Sequence, residues 1–285
     1  NGFGNLVGYD GGAAGPGRNV ISGNANGVVV DIQAGYGGLE DPTTLGSPNR
    51  ISGNIIGLDA AGKARLGNSY AGVLLNNAAG TIVGFAGGFT GEGVNGQLLP
   101  DTVTPGAGWA SNVISGNGLV GVHLTGTTRE TKLRGNYIGT DLDGRTYDAA
   151  GRGLELSSSV AAVLVDSNAS RNWIGGVAPD ESVAVAGTGN LITQSRAQSV
   201  SNSSIIGVRI NSIGALDNHI QSNVIGLDAT GSSGSNQIGV LLDKWGGRIV
   251  LSIGLACGGL ALTGTALSGA LWQLILFMGL GCSVA

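Results

Sequence analysis

Apolar residues in this chain come in short runs of three to five, each bounded by Asn or Gly, and the runs return in a fixed order. The clearest copies are Asn49–Leu75, Lys132–Leu156 and Asn218–Leu242. Each holds a β-branched or aromatic pair after an Asn, then Ile-Gly-x-Asp with a Gly three residues on, then Gly-Val-x-Leu or Gly-Leu-x-Leu. Asp59, Asp141 and Asp228 mark the register, at spacings of 82 and 87 residues. Between them runs a second set: Asn19-Val20-Ile21-Ser22-Gly23-Asn24, Asn112-Val113-Ile114-Ser115-Gly116-Asn117 and Asn190-Leu191-Ile192-Thr193. With Val7, Val83 and Ile174 as markers, the unit repeats at 76 and 91 residues.

Runs this short cannot sustain a helix, which needs about ten residues or more. They suit strands, and Gly and Asn suit the turns because both tolerate positive φ. A fixed repeat is the mark of a stacked architecture. Coils of about 20–25 residues, each of two or three strands, would let every strand pair with its equivalent one coil away. The expected fold is all-β: a single-stranded right-handed parallel β-helix of roughly ten coils over residues 1–247, with a Val/Ile/Leu core. Asn24, Asn54, Asn117, Asn136 and Asn223 are expected to stack as a side-chain amide ladder or to supply left-handed turn geometry.

Composition fits a chain that turns often: 55 of 285 residues are Gly, 6 are Pro and 42% are hydrophobic. Collagen is excluded by the lack of a three-residue period, and disorder by the apolar content. The net charge of −4, with scattered Lys and Arg, argues against nucleic acid as a partner. The two cysteines, Cys257 and Cys282, lie outside the repeats, so no disulfide framework is expected there.

The pattern breaks at residue 248. From Ile249 to Ala285 there is no charged residue, and Leu271–Met278 is continuously apolar apart from Gln273. Three readings of residues 248–285 stay open: a membrane anchor, a degenerate coil or cap, or a sequence that has lost the repeat frame. No basic cluster follows to mark a stop-transfer flank.

The motif string N-x-I-S-G-N, G-V-x-L, G-N-x-I-G-x-D-x-x-G and N-x-I-G-G over residues 5–247 resembles the right-handed parallel β-helix repeat proteins of bacteria. The resemblance implies the fold, and an extracellular or cell-surface setting. It does not imply one activity, since such repeats occur in adhesin-like proteins and in polysaccharide lyases, hydrolases and epimerases.

Chemistry is thinly marked. An epimerase-like Tyr-Gly-x-Asp-Pro-His motif has only Asp41-Pro42 here, without the His. The Asp-Asp and Gly-His-Gly signatures of the polygalacturonase-like branch are missing. His123, in Gly-Val-His-Leu, should point away from the core; His219 reads as a variable surface position. An outward column of Val29, Leu74, His123, Glu155, Arg209 and Leu241 is the expected functional stripe, with His123, Glu155 and Arg209 as the candidates for acid–base work. Three variable insertions lie at 33–48, 85–111 and 177–189, and the first two carry aromatics suited to stacking on sugars: Tyr36, Phe85, Phe89 and Trp109. Asp141 and Asp143, with Gly144, resemble the start of a calcium loop, though the Asp-x-x-Gly shared by all three copies reads equally as a turn. No other cofactor is signalled. The expected function is an extracellular structural or adhesive protein that contacts polysaccharide; the alternative is a lyase, hydrolase or C5-epimerase acting on acidic polysaccharide.

Overall fold

The computed structural model describes residues 4–8, 18–31, 48–84, 91–92, 98–99, 111–148, 150, 154–177, 189–194, 206–232, 236 and 238–242. Together they form a right-handed parallel β-helix of six coils, within the compact unit Asn1–Leu242. Each coil contributes one strand to each of three sheets. Coil 1 has β1 (Leu6–Gly8), β2 (Val20–Ile21) and β3 (Val28–Asp31); coil 2 has β4 (Arg50–Ser52), β5 (Ile55–Ile56) and β6 (Ala71–Asn76). Coil 3 has β7 (Ile82–Gly84), a small hairpin of β8 (Gly91–Glu92) and β9 (Leu98–Leu99), then β10 (Val113–Ile114) and β11 (Val120–Thr125). Coil 4 has β12 (Lys132–Arg134), β13 (Tyr137–Ile138) and β14 (Ala161–Val165). Coil 5 has β15 (Trp173–Ile174), β16 (Leu191–Ile192) and β17 (Ile206–Ile210), and coil 6 has β18 (His219–Ile220), β19 (Val224–Ile225) and β20 (Ile238–Leu242). The first, second and third strands of the coils make sheets A, B and C, each six-stranded and parallel throughout.

The expectation of about ten short coils is corrected here. Arg50 pairs with Ile82, 32 residues on, and Ile82 with Lys132, 50 residues on. Two coils therefore span one sequence repeat, because a single coil carries both three strands and a long excursion.

Six excursions leave at glycines of two corners, and longer connections also join β3 to β4 and β16 to β17. In coils 1, 3 and 5 the chain leaves after sheet A, at Gly8, Gly84 and Gly175; in coils 2, 4 and 6 it leaves after sheet B, at Gly57, Gly139 and Gly226. All six glycines have φ between +73° and +109°. A carbonyl of the next coil lies where a Cβ would be: Ser52 O is 1.9 Å from that of Gly8, and Thr193 O is 1.7 Å from that of Gly139.

Inside, one residue of each sheet B strand (Ile21, Ile56, Ile114, Ile138, Ile192, Ile225) meets the inward residues of sheets A and C. The sheet B residues facing out are apolar too. Ile55, Val113, Tyr137 and Leu191 are buried beneath the excursions of coils 2 and 4, which bring Leu58, Leu142 and Leu156 over them. These excursions stack: Leu142 N donates to Gly62 O at 2.9 Å, and Ala229 N to Gly144 O at 2.8 Å.

Asparagine amides pair from coil to coil at all three corners, as Asn5 with Asn49 and Asn172 with Asn218 before sheet A, and two corners carry longer ladders. At the A–B corner Asn19, Asn54, Asn112, Asn136, Asn190 and Asn223 form an unbroken series, each Nδ2 donating to Oδ1 of the next coil at 2.9–3.0 Å. At the B–C corner Asn24, Asn68 and Asn117 do the same. The five asparagines expected in one ladder thus belong to two: Asn54, Asn136 and Asn223 to the first, Asn24 and Asn117 to the second.

Candidate functional site

The outer face of sheet C holds the described residues closest to a chemical constellation. Strand β11 alternates so that Val122 and Leu124 are fully buried inside while His123 faces out. His123 is nevertheless only 5% exposed. Tyr70, the residue before β6, approaches it from coil 2: its hydroxyl lies 3.1 Å from Nδ1, with the rings tilted at 49°. Asp166, the residue after β14, approaches from coil 4, with Oδ2 3.0 Å from Nε2. Ser167 donates to Asp166 Oδ1 at 3.2 Å, and Thr125 Oγ1 lies 3.1 Å from Ser167 Oγ.

Proton roles follow from donor chemistry. An ionised carboxylate only accepts, so Nε2 carries a proton toward Asp166. In the neutral ring Nδ1 then accepts from the Tyr70 O–H. Burial alone would push the Asp166 carboxyl up. Hydrogen bonds from His123, Thr125 and Ser167, with the attraction of His123, outweigh that and hold it below the ordinary value of 3.8. The three coils are thus tied by a chain Tyr70–His123–Asp166, which can carry a proton from a phenol through an imidazole held by a carboxylate.

The sign of the pH effect is fixed by the direction of that shift. A carboxyl lowered on folding contributes stability that is present above its unfolded pKa and is lost as pH falls through the folded value. Thermal stability should therefore decline below about pH 4. In Asp166→Asn part of that acid limb should be missing, while stability at pH 7 drops by about 1 kcal/mol, a discounted value for a partly exposed carboxylate. Melting curves from pH 2.5 to 7 check this; parallel acid limbs in the two proteins would contradict it.

The other expected site residues separate. The outward column is Val29, Leu74, His123, Leu164, Arg209 and Leu241. Leu164 stands where Glu155 was expected. Glu155 is exposed, has φ +23° and precedes the strand, next to Leu156 of the coil 4 excursion. Coil 4 misleads because its sheet C strand is Ala161-Ala162-Val163-Leu164-Val165, without the glycine of Gly-Val-x-Leu, whereas Gly153-Leu154-Glu155-Leu156 imitates the motif. Arg209 lies two strands from His123 and donates to Asn211 Oδ1 at 3.3 Å. Tyr70 and Asp166 were not singled out from sequence; their contact depends on that coil 4 register.

Asp141 and Asp143 face a cation that the chain itself supplies. The Lys63 ammonium, from the excursion of coil 2, lies 2.8 Å from Asp141 Oδ2 and also pairs with Asp143. Burial disfavours the ammonium, but the two carboxylates outweigh it and raise its pKa. Asp141 Oδ1 accepts from the backbone N–H groups of Asp143 and Arg145, and Asp228 Oδ1 from those of Thr230 and Ser232. The recurring Asp therefore caps its own turn. Among the described residues no group of three or more His, Cys, Asp or Glu side chains is placed to hold a metal.

On sheet A, Trp173 and His219 pair across coils 5 and 6 and stack with centroids 5.4 Å apart and planes within 4°. Tyr36, Phe85, Phe89, Trp109 and residues 249–285 lie outside the described residues. Among those described, no helix is long and apolar enough to cross a membrane. No protein-family model, curated protein or solved structure matches this chain.

Proposed function

We propose that this chain is an extracellular or cell-surface scaffold of the bacterial β-helix repeat type, with a structural or adhesive role and polysaccharide as its contact. One observation carries the reading: the polar side chains that recur in register are spent on holding coils together. The asparagines bond to one another, Asp59, Asp141 and Asp228 cap turns, and Lys63 ties one excursion to the next. Such a sequence spends its repeated polarity on rigidity, the property a surface spacer needs. The Trp173–His219 stack is the aromatic surface a sugar would meet among the described residues.

A second reading is favoured by the Tyr70–His123–Asp166 chain. Abstraction of a proton alpha to a uronate carboxylate needs a base of this kind, and a phenol that passes its proton to a carboxylate-held imidazole qualifies by geometry. The full chain, incubated with alginate and pectin, separates the two when polymer retention and proton NMR of the sugar are followed together. Retention without turnover is expected. Turnover that disappears in both Tyr70→Phe and His123→Ala would replace the scaffold with an enzyme, and neither retention nor turnover would remove polysaccharide as the contact.

A further inference from the structure

The two histidines of the chain are placed differently. His219 stacks on Trp173, whereas His123 has a phenol on one ring nitrogen and a carboxylate on the other. With Nε2–H donating to Asp166 Oδ2 at 3.0 Å, Nδ1 is left to accept from the Tyr70 O–H at 3.1 Å. Both distances lie within the reach that marks an activated nucleophile: a hydroxyl on a base, and the base oriented by a third group. The roles are those of a Ser-His-Asp triad, with a phenol as the hydroxyl and the two ring nitrogens exchanged. Tyrosine is among the side chains that form covalent intermediates.

The backbone holds all three in place. Tyr70 N donates to Ala25 O at 2.8 Å, and Tyr70 O accepts from Leu119 N and Val120 N at 2.9 and 3.1 Å, so coils 1 and 3 fix it from both sides. Asp166 N donates to Leu124 O at 3.0 Å, and His123 lies within β11. Such preorganisation is what a reacting group needs. Tyr70 is half-buried while His123 is almost covered, so the phenol is the member of the pair more open to a reagent. The neighbours narrow the group transferred. Glycosyl transfer wants two facing carboxylates, and Asp166 is already taken up by His123. Phosphoryl transfer wants cations on the phosphate; among the described residues of this face the cation is Arg209, two strands from His123 and donating to Asn211 Oδ1. The first step of acyl transfer asks for a nucleophile and a base, which is what stands here.

We propose that Tyr70 is a nucleophile that takes an acyl group from an activated ester. Oη bonds to the ester carbonyl carbon as its proton passes to Nδ1 of His123, giving an imidazolium held by Asp166. The bond from that carbon to the leaving oxygen then breaks, and the leaving group takes the proton from Nδ1. Tyr70 ends as an O-acyl ester and His123 is neutral again. The inference uses the same three side chains as the uronate reading, but neither its substrate nor polysaccharide binding.

The full chain treated with p-nitrophenyl acetate tests this. Trypsin leaves Tyr70 as the one tyrosine of the peptide Leu66–Arg129, and fragmentation by mass spectrometry separates it from His123 in that peptide. Tyr147, also half-buried, is the reference tyrosine, and the buried Tyr137 reports any loosening of the fold. The expected result is stoichiometric acetylation of Tyr70, about 100-fold faster than that of Tyr147. His123→Ala and Asp166→Asn should both remove the advantage, the second because an amide can hold the imidazole in the wrong tautomer, and Asp166→Glu should restore part of it. Tyr137 should stay unlabelled throughout; where His123→Ala loosens the fold and exposes it, Asp166→Asn decides. Tyr70 labelled no faster than Tyr147, acetate on His123 in place of Tyr70, or a Tyr70 rate that Asp166→Asn leaves unchanged would each overturn the proposal, and none of these bears on whether the chain contacts polysaccharide.

Discussion

Gly139→Val is expected to cost about 4 kcal/mol or more, most of the margin by which a domain stays folded. Two causes add. The backbone there has φ +87°, which disfavours any L side chain by about 1–2 kcal/mol and a β-branched one further. A Cβ would also lie 1.7 Å from the Thr193 carbonyl oxygen. That oxygen belongs to backbone, and Thr193 N is held by Ile138 O at 3.0 Å, so the strand cannot move aside without breaking the ladder between coils 4 and 5. Overpacking that displaces backbone costs a further 1–3 kcal/mol at about the central range. Gly226→Val is the control: the same φ class at +91° but no atom within 4 Å. It should cost only the conformational part, about 1–2 kcal/mol. Denaturant midpoints of the two variants measure the difference, and equal losses would mean that coil-to-coil contact at this corner contributes little.

Asn112→Leu is expected to cost about 4 kcal/mol, and Asn24→Ala no more than about 1.5 kcal/mol, although both remove a ladder amide. Asn112 is fully buried and sits mid-ladder. Its Oδ1 accepts from both Asn54 N and Asn54 Nδ2, and its Nδ2 donates to Ile51 O and Asn136 Oδ1. Leucine supplies none of these, so several buried groups in coils 2 and 4 lose partners, at about 1–3 kcal/mol each before relaxation. Asn24 is exposed and ends its series in coil 1, bonding Asn68 Oδ1 and Ser22 O. Water can replace it. Equal destabilisation by the two changes, measured by thermal and urea unfolding, would contradict a ladder whose strength comes from burial.

Much of this was legible in the sequence because a β-helix writes its register into repeats. The inward columns followed from alternation in Gly-Val-x-Leu: Val122 and Leu124 inside, His123 outside. Coil length did not follow, since a 50-residue coil and a 32-residue coil differ only in excursions that carry no strand signal. Both residues of a sheet B strand are apolar because the excursions bury the outer one as well, so period-2 alternation is absent there. The second ladder was hidden for a related reason. Asn54 and Asn117 share the Ser-Gly-Asn context but occupy different corners, and only the parallel pairing of Ile55 with Val113 separates them. The Tyr70–His123–Asp166 chain draws on three coils, with residues 53 and 43 positions from His123, and no local motif encodes such a contact.

Exchange of asparagine side-chain amide protons, followed by NMR on the intact chain, tests most directly whether amide ladders lock the stacked coils. The Nδ2 protons of Asn54, Asn112, Asn136 and Asn190 should exchange as slowly as the backbone amides of the strands beside them, while those of Asn24, at the exposed end of its series, exchange fast. Rapid exchange at all of these positions in a folded sample would show that the amides are hydrated, and the ladders would not be what holds the coils together.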